Sequence, residues 1–204
     1  MELSSNGRMC TGSSEEFRLS AVEISVMLAL GKGIKGRYVL SRELGLGEGV
    51  IRGAYRRLRE LGLIEVLRGG SRLTPKGFRA LRRVLNALGI LEIRVLEEEV
   101  VWEEELRGAV AALEGEIGDV VRARDTIVRA GAKAALIIKR SPTGDLYLPL
   151  VEGYDLRREM PRLYTVLSTM PSTAKTYVVA YADSLFPCVR GLLEASALAR
   201  KGIL

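Results

Sequence analysis

Residues 44–65, LGLGEGVIRGAYRRLRELGLIE, decide the fold of the first half of the chain. Ile51, Tyr55 and Leu58 stand at i, i+4 and i+7, the spacing that puts three apolar side chains on one face of a helix. Gly49, Arg52, Gly53 and Arg56 repeat at the same spacing on another face. A glycine in a helix interior costs about 1 kcal/mol relative to alanine, so two on one face ask for a reason other than helix stability. Close approach of a phosphate backbone supplies one. The spacing predicts a helix over about 48–61, with Arg52 and Arg56 directed at base edges and Arg57 and Arg59 at phosphates. An arginine donates two hydrogen bonds to guanine, whereas phosphate contacts position without reading sequence. A solvated basic face fits the same residues when the helix is taken alone, so the neighbouring segments decide.

Upstream, Ser20 and Glu23 stand three apart before an apolar run, the pattern of a capping box. Ile24, Met27, Leu28 and Leu30 supply the buried face of that first helix. A turn, GKGIKG, precedes a short second helix over about 38–44, and Gly45 or Gly47 turns into the third. Downstream, LIEVLRGGSRLTP alternates as a strand, turns at Gly69 and Gly70 and returns as a second strand. This hairpin, about 63–74, is the expected wing, with Arg68 and Arg72 at its tip for phosphate or minor-groove contact. Thr74 and Pro75 then start a fourth helix as N-cap and first helical residue.

The order helix, helix, helix, wing, helix, with GLIE ahead of the wing and LTPKG behind it, resembles the winged-helix repressors of bacteria and archaea over roughly the first 90 residues. In that family, contacts to double-stranded DNA come from the exposed face of the third helix and from the wing. By position the resemblance implies Gly49, Val50, Arg52, Gly53 and Arg56, with Arg68 and Arg72 on the wing. Many members carry Ser or Thr at the positions of Val50 and Arg52, so base specificity is not carried over.

Charge is unevenly divided along the 204 residues. The first 90 hold sixteen Lys and Arg against eight Asp and Glu, and the remainder fifteen against seventeen. A basic first half joined to a near-neutral second half fits a nucleic-acid-binding head with a different module behind it. A hydrophobic content of 48% is ample for packed cores in two modest domains. The expected organisation is a polar, loose tail over 1–17, a winged helix over 18–89 and an α+β domain over 90–204. The tail lacks the apolar run of a signal peptide, and no stretch reaches the roughly 18 apolar residues that span a bilayer. A cytoplasmic protein with no membrane partner is expected.

Histidine is absent, which removes the usual general base and most zinc or iron constellations. The sequence contains no nucleotide-binding glycine pattern, so no catalytic residue, metal or cofactor is expected. The acidic runs at 97–99 and 103–105 read as solvated faces before a divalent-metal site. Cys10 and Cys188 are expected to be free thiols. Glutamine is absent and asparagine occurs only at Asn6 and Asn86, a composition that points to a thermophilic source.

In the second half, the alternating segment from Ile90 to Trp102 predicts a strand pair. LRGAVAAL is rich in alanine but short and bounded by glycine, and is expected to be a buried strand. A helix over about 117–132 follows, with Val120, Val121, Ile127 and Val128 inward and Gly131 ending it. AALIIKR and DLYLPL form a hairpin about SPTG, DLRREMPRLYTVLSTM a helix with an internal proline, TYVVAYA a strand, and SLFPCVRGLLEASALARKG a closing helix. The expected architecture is two-layer α+β, with helices on one face of a largely antiparallel sheet.

The run RDTIVRAGAKAALI, followed by a turn glycine and LYLP, is similar to the C-terminal domain of an uncharacterised archaeal family that also begins with a winged helix. That family implies no activity. Candidate effector-binding residues are Arg124, Asp125, Arg129, Pro149 and Asp183, for an anionic small molecule gripped by arginine. The plainer reading pairs Asp125 with Arg129 at i, i+4. Small residues in GLLEASALAR suit core packing before a dimer seam, yet a homodimer is expected because a two-fold protein reads two half-sites. The expected function is sequence-specific transcriptional regulation. The alternatives are an enzyme with its chemistry in the second half, or an RNA-binding protein.

Overall fold

The computed structural model describes residues 8–9, 18–97, 100 and 106–204. The chain divides between Ala87 and Leu88 into two compact units.

In the first unit, β1 (Arg8–Met9) pairs antiparallel with β2 (Leu19–Ser20). The other residues of the expected loose tail, up to residue 17, lie outside the described residues. Helix α1 (Ala21–Gly31) begins with the expected capping box. The Ser20 Oγ accepts the Glu23 N–H at 3.3 Å, and Glu23 Oε2 accepts the Ser20 N–H at 2.7 Å. It buries Ile24, Met27 and Leu30, together with Val26 and Ala29, while Leu28 is only partly covered. Helix α2 (Arg37–Leu44) stops at Gly45, whose φ of +66° is the left-handed cap that glycine adopts without steric cost. Helix α3 (Glu48–Glu60) buries the expected stripe Ile51, Tyr55 and Leu58, with Ala54 beside it.

Strands β3 (Ile64–Leu67) and β4 (Gly70–Leu73) form the hairpin, with Glu65 opposite Arg72 and Val66 opposite Ser71. Lys35 bridges to the hairpin by exchanging backbone hydrogen bonds with Ser71, at 3.1 and 2.9 Å. Helix α4 (Pro75–Ala87) follows at once. The LTPKG segment locks this helix to the base of the hairpin. Thr74 Oγ1 accepts the Gly77 N–H at 3.0 Å and donates to the Gly62 carbonyl at 2.7 Å, while the Thr74 N–H donates to the Leu63 carbonyl at 3.0 Å. A Cβ at position 77 would stand 2.1 Å from the Leu63 carbonyl oxygen, so only glycine fits. Three helices, a hairpin and a fourth helix thus follow one another in the order that the sequence predicts.

The second unit holds one antiparallel sheet of order β5-β6-β9-β7-β8. Its elements are β5 (Ile90–Leu96), β6 (Arg107–Leu113), α5 (Val120–Arg129), β7 (Ala134–Arg140), β8 (Leu146–Tyr147), α6 (Leu156–Glu159), α7 (Pro161–Ser168), β9 (Thr176–Ala182) and α8 (Leu185–Arg200). The alanine-rich β6 is a strand as expected. Its position between β5 and β9 satisfies its backbone on both edges, overriding the helical leaning of its alanines.

The α+β class and the antiparallel sheet agree with the sequence reading, and three details differ. First, helices cover both faces. All seven residues of β9 are buried, which for a strand of alternating side chains requires cover on each side. Leu156, Leu163 and Leu167 of α6 and α7 share a core with Tyr177, Val179 and Tyr181, alternate residues of β9. Helices α5 and α8 pack on each other and on β7, β6 and β9. Second, residues 155–170 form two helices, because Pro161 has no N–H to continue a helix and sits at the first turn of α7. Third, Val121 and Val128 are exposed, since the buried face of α5 runs through Val120, Ala123 and Ile127. Of the strand pair expected from Ile90 to Trp102, β5 is present, and most of the segment that follows it lies outside the described residues.

Candidate nucleic-acid interface

Gly49, Val50, Arg52, Gly53 and Arg56 are all exposed on α3. A Cβ at Gly49 or Gly53 would meet nothing within 4 Å. The fold therefore does not require glycine at either position, and both lower helix stability.

Between this face and the hairpin lies a cleft of about 600 Å³. Arg52, Arg56 and Arg59 line it from α3, Arg68 from the hairpin turn and Arg37 from the start of α2, and no carboxylate is among its lining residues. The cleft is shaped by the Lys35–Ser71 bridge. Gly70, at φ +144°, permits that contact, because a Cβ there would stand 2.5 Å from the Lys35 carbonyl carbon and oxygen. Tyr55, buried at the floor, donates its hydroxyl to the Lys35 carbonyl at 3.1 Å. Burial raises its phenol above the ordinary value. Lys35 itself is occupied by Glu43, with Nζ 2.6 Å from Oε2.

Two arginines expected at the interface are engaged within the protein. Arg57, read as a phosphate contact, turns toward α1, with Nε 2.8 Å from Glu23 Oε1 and Nη2 donating to the Arg18 carbonyl at 3.1 Å. Arg72 pairs with Glu65 directly across the hairpin, Nε to Oε1 at 2.6 Å. Arg68 occupies the turn between β3 and β4 and is exposed. Arg37 was not anticipated. Its place in the cleft follows from the Lys35–Ser71 pairing, which no local pattern announces.

The candidate effector residues are not gathered into one site. Arg124, Asp125 and Arg129 are exposed on α5. Asp183 follows the end of β9 that pairs with the start of β7, and its carboxylate stands 2.5 Å from Lys133 Nζ. Pro149 follows β8, which pairs with the opposite end of β7. The Cys188 thiol is buried, donates to the Arg107 carbonyl at 3.3 Å, and is pushed up to about 12 by burial, so it is unreactive near neutrality. Cys10 lies outside the described residues. Among the described residues, no group of three or more acidic or cysteine side chains is placed to hold a metal ion, and no helix is long and apolar enough to cross a membrane. Glu98, Glu99 and Glu103 to Glu105, the bulk of the two acidic runs, fall outside the described residues.

No family model and no curated protein matches the chain. A hypothetical protein from Pyrococcus horikoshii OT3 is similar in structure over 92% of this chain and 96% of its own, with a TM-score of 0.69 and 18% sequence identity. At that identity the likeness shows a shared fold, reaching an archaeal protein of no stated activity.

Proposed function

We propose that the chain is a sequence-specific, DNA-binding transcriptional regulator. Helix α3 enters the major groove of double-stranded DNA, with Arg52 and Arg56 at base edges, while Arg37, Arg59 and Arg68 hold the backbone. Arg57 and Arg72 act indirectly, by holding α3 and the hairpin in place. The second unit dimerises the protein or senses a small molecule, whose differential affinity for two arrangements of the dimer sets operator affinity.

The observation that carries this reading is the cleft beside α3, lined by five arginines and no carboxylate, next to a helix face floored by two glycines the fold does not need. Concentrated positive charge of this kind attracts a polyanion, and open glycines let it approach the helix backbone. Genomic fragments retained by the purified protein provide the test. Retention of particular fragments in the presence of a tenfold excess of random duplex supports the proposal. Equal competition by random duplex, or preference for structured RNA at the same salt, overturns it.

A further inference from the structure

The two edges of the sheet in the second unit differ. At one, β8 has only two residues; at the other, β5 has seven, and no strand among the described residues pairs with its outer edge. An open strand of this length presents unpaired N–H and C=O groups, and natural edges are usually blunted by proline, lysine or shortness. The β5 sequence ILEIRVL contains neither proline nor lysine, and its one register shift against β6, between Ile90 and Glu92, leaves Glu92–Leu96 in regular alternation. Leu91 is exposed, and Ile93 and Val95 are only partly covered.

The charges on β5 are arranged symmetrically about one residue. Glu92 and Arg94 flank Ile93 and point to the same face. Glu92 Oε1 is 2.7 Å from Arg94 Nη2, and Arg94 Nη1 also donates to Thr169 Oγ1 at 2.7 Å. We infer that β5 pairs antiparallel with β5 of a second copy of this chain, on a two-fold axis through Ile93, to give a continuous ten-stranded sheet.

The register follows from strand geometry. Along the regular stretch Glu92–Leu96 only every second residue turns its backbone groups outward. Two identical strands can therefore pair antiparallel only with the axis at a residue, never between two residues. Three such registers keep both charges in the ladder. An axis at Glu92 sets Glu92 against its own copy, and an axis at Arg94 sets Arg94 against its own copy. Only the axis at Ile93 sets Glu92 opposite Arg94 of the other strand, twice, and joins the two existing ion pairs into an alternating ring of four charges. Directly opposite unlike charges stabilise a strand pair and like charges oppose it, so the sequence selects this register. The contact is isologous and closes on itself, which gives a dimer and not a fibre.

The inference rests on the homodimer in the proposed function and is tested on the full-length protein by sedimentation equilibrium, with thermal melting to confirm folding. Glu92→Arg and Arg94→Glu each place like charges across the axis and are expected to weaken the dimer roughly tenfold or more. The double swap E92R/R94E restores unlike pairs and is expected to recover wild-type association. In a Cys10→Ser background, Ile93→Cys is expected to give a dimer cross-linked by a short bismaleimide, because the two positions meet on the axis. This variant decides the matter if the charge variants fold poorly. A wild-type dimer indifferent to both single substitutions and not cross-linked at position 93 overturns the edge pairing and leaves dimerisation through another face. A wild-type protein monomeric at every concentration overturns both.

Discussion

Arg57 Nε stands 2.8 Å from Glu23 Oε1, so the helix that carries the candidate interface is tied to the capping box of α1. The other carboxylate oxygen of Glu23 accepts both the backbone N–H and the hydroxyl of Ser20. The Glu23 side chain is 6% exposed and that of Arg57 39%. This asymmetry predicts unequal mutational costs. Arg57→Met strands a buried carboxylate and is expected to destabilise the first unit by about 2–3 kcal/mol. In Glu23→Gln the amide oxygen still accepts from Ser20 and the freed guanidinium turns to water, at a cost of about 1 kcal/mol. Urea unfolding of the two variants checks the order, and a larger loss for Glu23→Gln contradicts it.

Gly77→Ala is expected to cost about 2–3 kcal/mol, because its methyl group collides with the Leu63 carbonyl and forces α4 off the base of the hairpin. Gly69→Ala, where nothing lies within 4 Å, is the control and is expected to change stability by less than about 0.5 kcal/mol. Comparable thermal shifts for the two variants would show that the lock at Thr74 to Gly77 does not hold the hairpin.

Gly49→Ala and Gly53→Ala are expected to raise stability by up to about 1 kcal/mol each, since alanine favours the helix and the space is open. If DNA lies against this face, the same substitutions weaken binding. Melting temperature and affinity should thus move in opposite senses. Higher stability with unchanged affinity for duplex would show that this part of α3 does not meet DNA.

Alkaline pH is expected to destabilise the second unit. Burial pushes the Cys188 thiol from an ordinary value near 9 to about 12, and raises the Tyr181 phenol as well. Between the unfolded and folded values the folded chain holds protons that the unfolded chain has lost. The contribution is therefore whole below about pH 9 and is lost as pH rises toward 12. Melting scans from pH 8 to 10.5 should show the decline. In the Cys10→Ser protein, a thiol reagent at pH 8 should label Cys188 only as fast as the chain opens, and immediate labelling would contradict the burial.

Features carried by local chemistry were legible in the sequence: the Ser20–Glu23 capping box, the stripe Ile51, Tyr55 and Leu58, the hairpin turn, and Thr74 with Pro75 starting α4. Each depends on residues a few positions apart. The direction taken by Arg57 was not legible, because its partner lies two helices earlier. Arg72 reads as a tip arginine until the hairpin register sets it opposite Glu65. In α5, two pairs of adjacent β-branched residues, Val120–Val121 and Ile127–Val128, offer two competing apolar stripes, and only packing against α8 decides between them. There Gly191 meets Ile127 so closely that a Cβ would fall 2.8 Å from its Cγ2. The placement of α6 and α7 over the Tyr177 face is likewise a tertiary choice that periodicity does not encode.

The account turns on whether the arginines of α3 meet duplex DNA. Fluorescence anisotropy of a labelled duplex drawn from a retained genomic fragment, titrated with wild-type protein and with Arg52→Ala and Arg56→Ala over a range of salt, tests this most directly. The prediction is a steep fall of wild-type affinity with salt, and for each variant a loss of about 1–3 kcal/mol with intact folding. Wild-type affinity retained by both correctly folded variants would contradict it.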